Sequence, residues 1–251
     1  MKTIAFLNLK GGVGKSTSVH NIGAALARHG HEVLMIDMDA QASLTFSCLP
    51  DRGEKNADRN IYHALTEKDG SLPMRVPAPH LWLCPSGIEM ARLDMDGEAR
   101  PDRLRTLLEA QSDAFNVVLI DCPPFLGKAA TSALIASDEV IIPLTAEPLP
   151  LRSLAILEDF IDSMKRANEK LAIGGVLITR WKDRVVTRGV KKSLLEHFGD
   201  ALLHNVIREN IALAEAPLAA QDIFSYSPRS IGAQDYEAVA TELMERWRTR
   251  Q

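Results

Sequence analysis

Apolar runs of strand length recur along the chain: "TIAFLNL" (3–9), "EVLMID" (32–37), "HLWLCP" (80–85), "NVVLID" (116–121), "EVIIPL" (139–144), "IGGVLIT" (173–179) and "ALLHNVI" (201–207). Each is largely continuous rather than alternating, as expected of strands buried on both faces. Helical periodicity fills most of the gaps. In "SVHNIGAALARHG" (18–30), Val19, Ile22, Ala25 and Leu26 share one face of a helix that ends at Gly30. Strands joined by helices pair in parallel, so the pattern predicts an α/β fold: a doubly wound, mostly parallel sheet in a single domain spanning 1–251. The polar stretch "DRGEKNADRN" (51–60) reads as an exposed loop.

A length of 251 residues, 46% of them hydrophobic, allows a fully covered core. The N-terminal apolar run is too short to span a membrane and leads straight into glycines, so a soluble cytoplasmic protein is expected. Cys48, Cys84 and Cys122 have no C-x-x-C or Cys/His spacing and read as packed thiols, with no zinc or iron-sulfur ligand set. A net charge of -4 argues against a protein that coats nucleic acid with its whole surface, yet it permits a local basic face. Positions 180 to 192 hold six bases, Arg180, Lys182, Arg184, Arg188, Lys191 and Lys192, against one acid, Asp183. Composition fits a DNA-backbone contact and a solvated helix face equally well.

The most informative stretch is Lys10-Gly11-Gly12-Val13-Gly14-Lys15-Ser16-Thr17, set between the first strand and the first helix. The common phosphate loop would require glycine at position 9, where this chain has Leu9. The remaining spelling suits the chemistry, because glycines let backbone N–H groups close around phosphate and a helix N-terminus adds partial positive charge. Lys15 is expected to neutralise β- and γ-phosphate oxygens, and the Ser16 hydroxyl to complete a Mg²⁺ shell. "VLMIDMDAQ" puts Asp37 and Asp39 at one strand end and "VVLIDCPP" puts Asp121 at another, the edge where open α/β sheets bind ligands. Asp121 reads as a Mg²⁺ anchor acting through a water, and Asp39 as the group that orients an attacking water. Pro123, Pro124 and Gly127 frame a loop suited to sensing the γ-phosphate.

These blocks, with "LWLCPSGIEMARLD", "NIALAEAP" and "YSPRSIGAQDYEAVATEL" in the same order, resemble the ParA/MinD family of deviant-Walker partition ATPases, in particular its short, Soj-like ParA proteins. The resemblance implies ATP and Mg²⁺ as cofactors and a homodimer with ATP sandwiched between subunits. Lys10 would then reach the partner's phosphates, Thr17 would contact phosphate, Asp37 would act as a supporting acid, and Asp121 would take the Walker B role. It further implies a weak ATPase stimulated by a ParB-like partner, an ATP-bound dimer on non-specific double-stranded DNA, and nucleoid association in that state. No N-terminal helix-turn-helix region is expected. One departure bears on DNA: the family's P-R-N-V-R-L-x-E-A-P reads "RENIALAEAP" here, with Glu209 and Ala212 in place of two arginines and Arg208 as a possible substitute one position away.

Three other readings compete. A positioner of protein cargo would use the same ATPase cycle. A MinD-like membrane protein would need a basic terminal amphipathic helix, but the stripe Tyr236, Val239, Ala240, Leu243, Met244 and Trp247 is accompanied by Glu237, Glu242 and Glu245 and reads as a last helix packed on its own domain. A biotin-pathway ligase or an iron-sulfur carrier shares the nucleotide core, but the C-terminal block and the cysteine placement disfavour them.

Overall fold

The structure, a computed structural model, describes residues 1–49, 59–68, 70–97, 99–147 and 151–249, with backbone alone at 151 and 152. Its strands are β1 (Lys2–Phe6), β2 (Val33–Asp37), β3 (Arg75–Ala78), β4 (Leu81–Cys84), β5 (Val117–Asp121), β6 (Glu139–Thr145) and β7 (Ala172–Thr179). The helices are α1 (Lys15–Arg28), α2 (Ser43–Cys48), α3 (Ile61–Thr66), α4 (Arg103–Glu109), α5 (Lys128–Ala136), α6 (Leu151–Met164), α7 (Val185–Phe198), α8 (Ala212–Glu215), α9 (Ile223–Tyr226) and α10 (Ile231–Thr249).

The sheet order is β3-β4-β2-β5-β1-β6-β7, antiparallel only between β3 and β4. Burial on both faces explains the unbroken apolar runs. In β2, Leu34 and Ile36 join one core cluster while Val33 and Met35 join the other. The register pairs Asp37 of β2 with Asp121 of β5, and Asp121 with Phe6 of β1. The two strand-end acids and the exit toward the glycine loop therefore converge on one edge.

The terminal stripe is turned inward, as expected: Tyr236, Val239, Ala240 and Leu243 are buried, and Met244 and Trp247 pack against the same cluster as α1. Among the described residues, no helix is long and apolar enough to cross a membrane. Most of the loop expected at 51–60 lies outside the described residues; its last residue, Asn60, caps α3 through Tyr62 N–H at 3.0 Å.

Two elements depart from expectation. The run 201–207 is not a sheet strand, although it lies along β7: Val176 and Leu202 form an isolated bridge, and the N–H groups of Leu203 and Ile207 donate to the carbonyls of Val176 (2.9 Å) and Ile178 (2.8 Å). The Glu242 carboxylate of α10 interrupts the ladder, since it captures the N–H of Asn205 (3.0 Å), the donor that falls between Leu203 and Ile207, together with the N–H of His204 (2.9 Å). Conversely, β3 carries no strand signal because Pro77 interrupts it, and it lies at the sheet edge where a missing N–H is tolerated.

Glu242 is buried and also accepts from Asn205 Nδ2 and Arg246 Nη2. Burial opposes its ionisation, but the hydrogen bonds from Asn205 and His204 outweigh that and hold its pKa below the ordinary carboxylate value. Its stabilisation is therefore complete above the ordinary range and is lost as pH falls through the lowered pKa. Glu242→Ala is expected to lower unfolding free energy by about 2 kcal/mol at neutral pH, read by urea denaturation, with the gap narrowing in acid.

Candidate functional site

The loop from β1 to α1 turns on Gly12 and Gly14, at φ 72° and 83°, a region that L side chains enter only under strain. Gly14 is the N-cap of α1 and supplies no side-chain cap, so the positive end of that helix is left for a ligand. Beside it opens a cleft of about 950 Å³ lined, from the expected set, by Gly11, Gly12, Gly14, Lys15, Ser16, Thr17 and Asp39, and also by Arg180 of the basic cluster. Val13 lies buried behind the loop, its carbonyl accepting from Thr179 Oγ1 at 2.8 Å.

Lys15 is 7% exposed, and its Nζ donates to the carbonyls of Asn8 (3.2 Å) and Lys10 (3.4 Å). Burial lowers its pKa, while Asp121 and Asp39 favour the ammonium. Asp37 and Asp121 are both buried but differently satisfied. Asp37 accepts from Thr45 N (2.9 Å), Thr45 Oγ1 (2.8 Å) and Asp39 N (3.1 Å), and burial nonetheless pushes it up to about 6. Among the described residues, neither carboxylate oxygen of Asp121 has a partner in hydrogen-bond geometry. Burial, reinforced by Asp37, raises its pKa well above the ordinary value; the nearby Ser16 hydroxyl and Lys15 pull the other way. An unsatisfied buried carboxylate beside a serine hydroxyl and a glycine loop suits a hydrated divalent cation on a polyphosphate. Asp39, half-buried, faces the cleft, and its Oδ1 accepts from Gln41 N at 3.0 Å.

Lys10 does not line this cleft. Its Nζ pairs with Glu147 Oε2 at 2.6 Å, with side chains 51% and 60% exposed. Sequence reasoning missed Glu147, and it also missed Asn210 and Thr179 along the far wall of the cleft; Arg208, singled out only as a possible DNA contact, lies on the same wall.

The basic cluster is largely engaged. Glu209 pairs with Lys182 and, at 3.7 Å, with Arg180. Arg188 pairs with Asp183 (2.9 Å), Lys192 with Glu196 (3.8 Å), and Lys191 lies over the Trp181 ring; Arg184 is exposed. Arg208, the possible substitute for a lost arginine, has its guanidinium held by the buried Asp235, with Nε at 3.0 Å from Oδ2.

A protein family described as an AAA domain matches residues 1–173. The chromosome-partitioning ATPase Soj of Treponema pallidum is 33% identical, the alignment covering 98% of each chain. A plasmid partition protein from Borrelia burgdorferi, solved with AMPPNP, has a TM-score of 0.82 at 29% identity, over 100% of this chain and 99% of that one. A cobyrinic acid a,c-diamide synthase from Mycobacterium smegmatis, solved with ADP and magnesium, has a TM-score of 0.82 at 28% identity, over 100% and 97%.

Glu209→Gln releases Lys182 and Arg180. Binding to random duplex DNA is expected to strengthen, with the slope of log affinity against log salt steepening by about one to two. An unchanged slope contradicts the neutralising role of Glu209.

Proposed function

The chain belongs to the ParA/MinD family of partition ATPases, and from that premise we propose an ATP-driven switch in which an ATP-sandwiched homodimer binds DNA without sequence preference and is released by hydrolysis. The observation that carries this reading is the separate destination of two lysines. Lys15 lies under its own loop, whereas Lys10 points out of its own cleft. The ion pair of Lys10 with Glu147 is solvent-exposed and cheap to exchange, about 0–1 kcal/mol, so Lys10 is available to a neighbour's nucleotide.

In this reading Gly11, Gly12, Val13, Gly14, Lys15 and Thr17 hold the phosphates, and Ser16 and Asp121 hold Mg²⁺, the latter through water. Magnesium, when bound, offsets the negative charge of the phosphate oxygens. Asp39 orients the attacking water, and Asp37 supports it. Lys10 adds positive charge at the developing transition state only when two subunits close, which couples hydrolysis to assembly. Turnover is weak until a ParB-like partner stimulates it, and the ATP-bound dimer is cytoplasmic and nucleoid-associated.

A second reading, transport of protein cargo by the same cycle, is favoured by the pairing of Glu209 with Lys182 and Arg180, which reduces the charge available to DNA.

Lys10→Ala is expected to abolish the ATP-dependent rise in mass seen by sedimentation, while the monomer keeps its affinity for a fluorescent ATP analogue. Dimerisation at the parent level refutes the assignment.

A further inference from the structure

The loop bearing Asp39 is held by a closed ring of hydrogen bonds from three separate parts of the chain. Asp37, at the end of β2, accepts both the N–H and the hydroxyl of Thr45 in α2. Thr45 Oγ1 in turn accepts from Ser86 N at 3.0 Å, just beyond β4. Ser86 Oγ donates to the Asp39 carbonyl at 2.7 Å, and Asp39 N returns to Asp37 Oδ1 at 3.1 Å. The Asp39 peptide is thus gripped on its N–H side by Asp37 and on its C=O side by Ser86.

We propose that Ser86 and Thr45 are positioning residues for hydrolysis: their hydroxyls fix the Asp39 backbone so that its carboxylate meets the attacking water. The proposal rests on the assignment of Asp39 as the water-orienting group. Thr45, Ser86 and Asp37 are all buried, so water is a poor substitute for their hydrogen bonds and the ring is stiff. Asp39 itself is half-buried on the cleft wall, where its rotamer has few other restraints beyond Gln41 N. A displacement of the order of 1 Å in such a group costs about a hundredfold in rate without weakening substrate binding.

Ser86 also joins this loop to the second loop at the cleft. It precedes the 3₁₀ helix Ile88–Met95, whose Asp94 Oδ1 accepts from Lys128 N at 2.6 Å, at the start of α5 and the end of the segment that follows Asp121. The brace therefore ties the Asp39 loop to the segment that carries Pro124 along the cleft.

The test is steady-state ATP hydrolysis by Ser86→Ala, Thr45→Val and Thr45→Ser, each in the parent and in an Asp39→Ala background. Ser86→Ala and Thr45→Val are expected to lower kcat by about tenfold to a hundredfold with KM within about twofold, and Thr45→Ser to recover most of the loss. Neither is expected to lower the residual rate further once Asp39 is absent. Ser86→Ala removes one hydroxyl and decides the matter if Thr45→Val does not fold. A parent-like kcat for Ser86→Ala, a loss confined to KM, or the same loss persisting without Asp39 overturns the positioning role. Parent-like turnover by Asp39→Ala instead overturns the assignment of Asp39 itself, a distinguishable failure.

Discussion

Two carboxylates, register-paired at the ends of β2 and β5, lie out of water beside a buried ammonium, and the rest of the site answers to that placement. Burying charge is costly unless it is paired or hydrogen-bonded. The two acids meet that cost differently. Asp37 takes three hydrogen bonds from the segment that follows it and so becomes the anchor of the Asp39 loop. Asp121 takes none among the described residues, which leaves a carboxylate whose natural complement is a hydrated cation arriving with a polyphosphate. A parallel sheet makes this possible, because both strands deliver their carboxyl ends to the same edge as the loop after β1.

The same logic separates the two lysines of the loop. Lys15 is desolvated, and nearby acids and two loop carbonyls compensate in part, so an incoming phosphate improves its situation. Lys10 is largely solvated and makes a surface pair that contributes little. One cation is thus buried at its own cleft, and the other stands at the surface in an exposed pair. Around the cleft, Glu209 tempers the basic surface beside it, and Asp235 secures Arg208 in the wall.

Much of the sheet was legible because strands buried on both faces leave unbroken apolar runs, as in "VLMID" and "VVLID". The run at 201–207 has the same composition but a different fate, since a carboxylate 37 residues beyond Asn205 takes the backbone donor in its middle. Nothing local in "ALLHNVI" announces that. The phosphate loop could be read because its glycines, lysine and serine act through spacing along one short segment. Glu147, Ser86 and Asp235 could not, since each meets its partner 137, 47 and 27 residues away in sequence, across elements brought together only by folding.

Whether Lys10 serves the neighbouring subunit is tested most directly by mixing two inactive variants, Lys10→Ala and Asp39→Ala, and measuring ATP turnover. If Lys10 acts across the interface, each mixed dimer contains one complete site: the Lys10→Ala subunit keeps Asp39 and receives Lys10 from its partner. Turnover then reappears on mixing. If Lys10 acts within its own subunit, both sites of the mixed dimer stay defective, and a mixture whose two variants co-purify in ATP yet stay as inactive as its components contradicts the account.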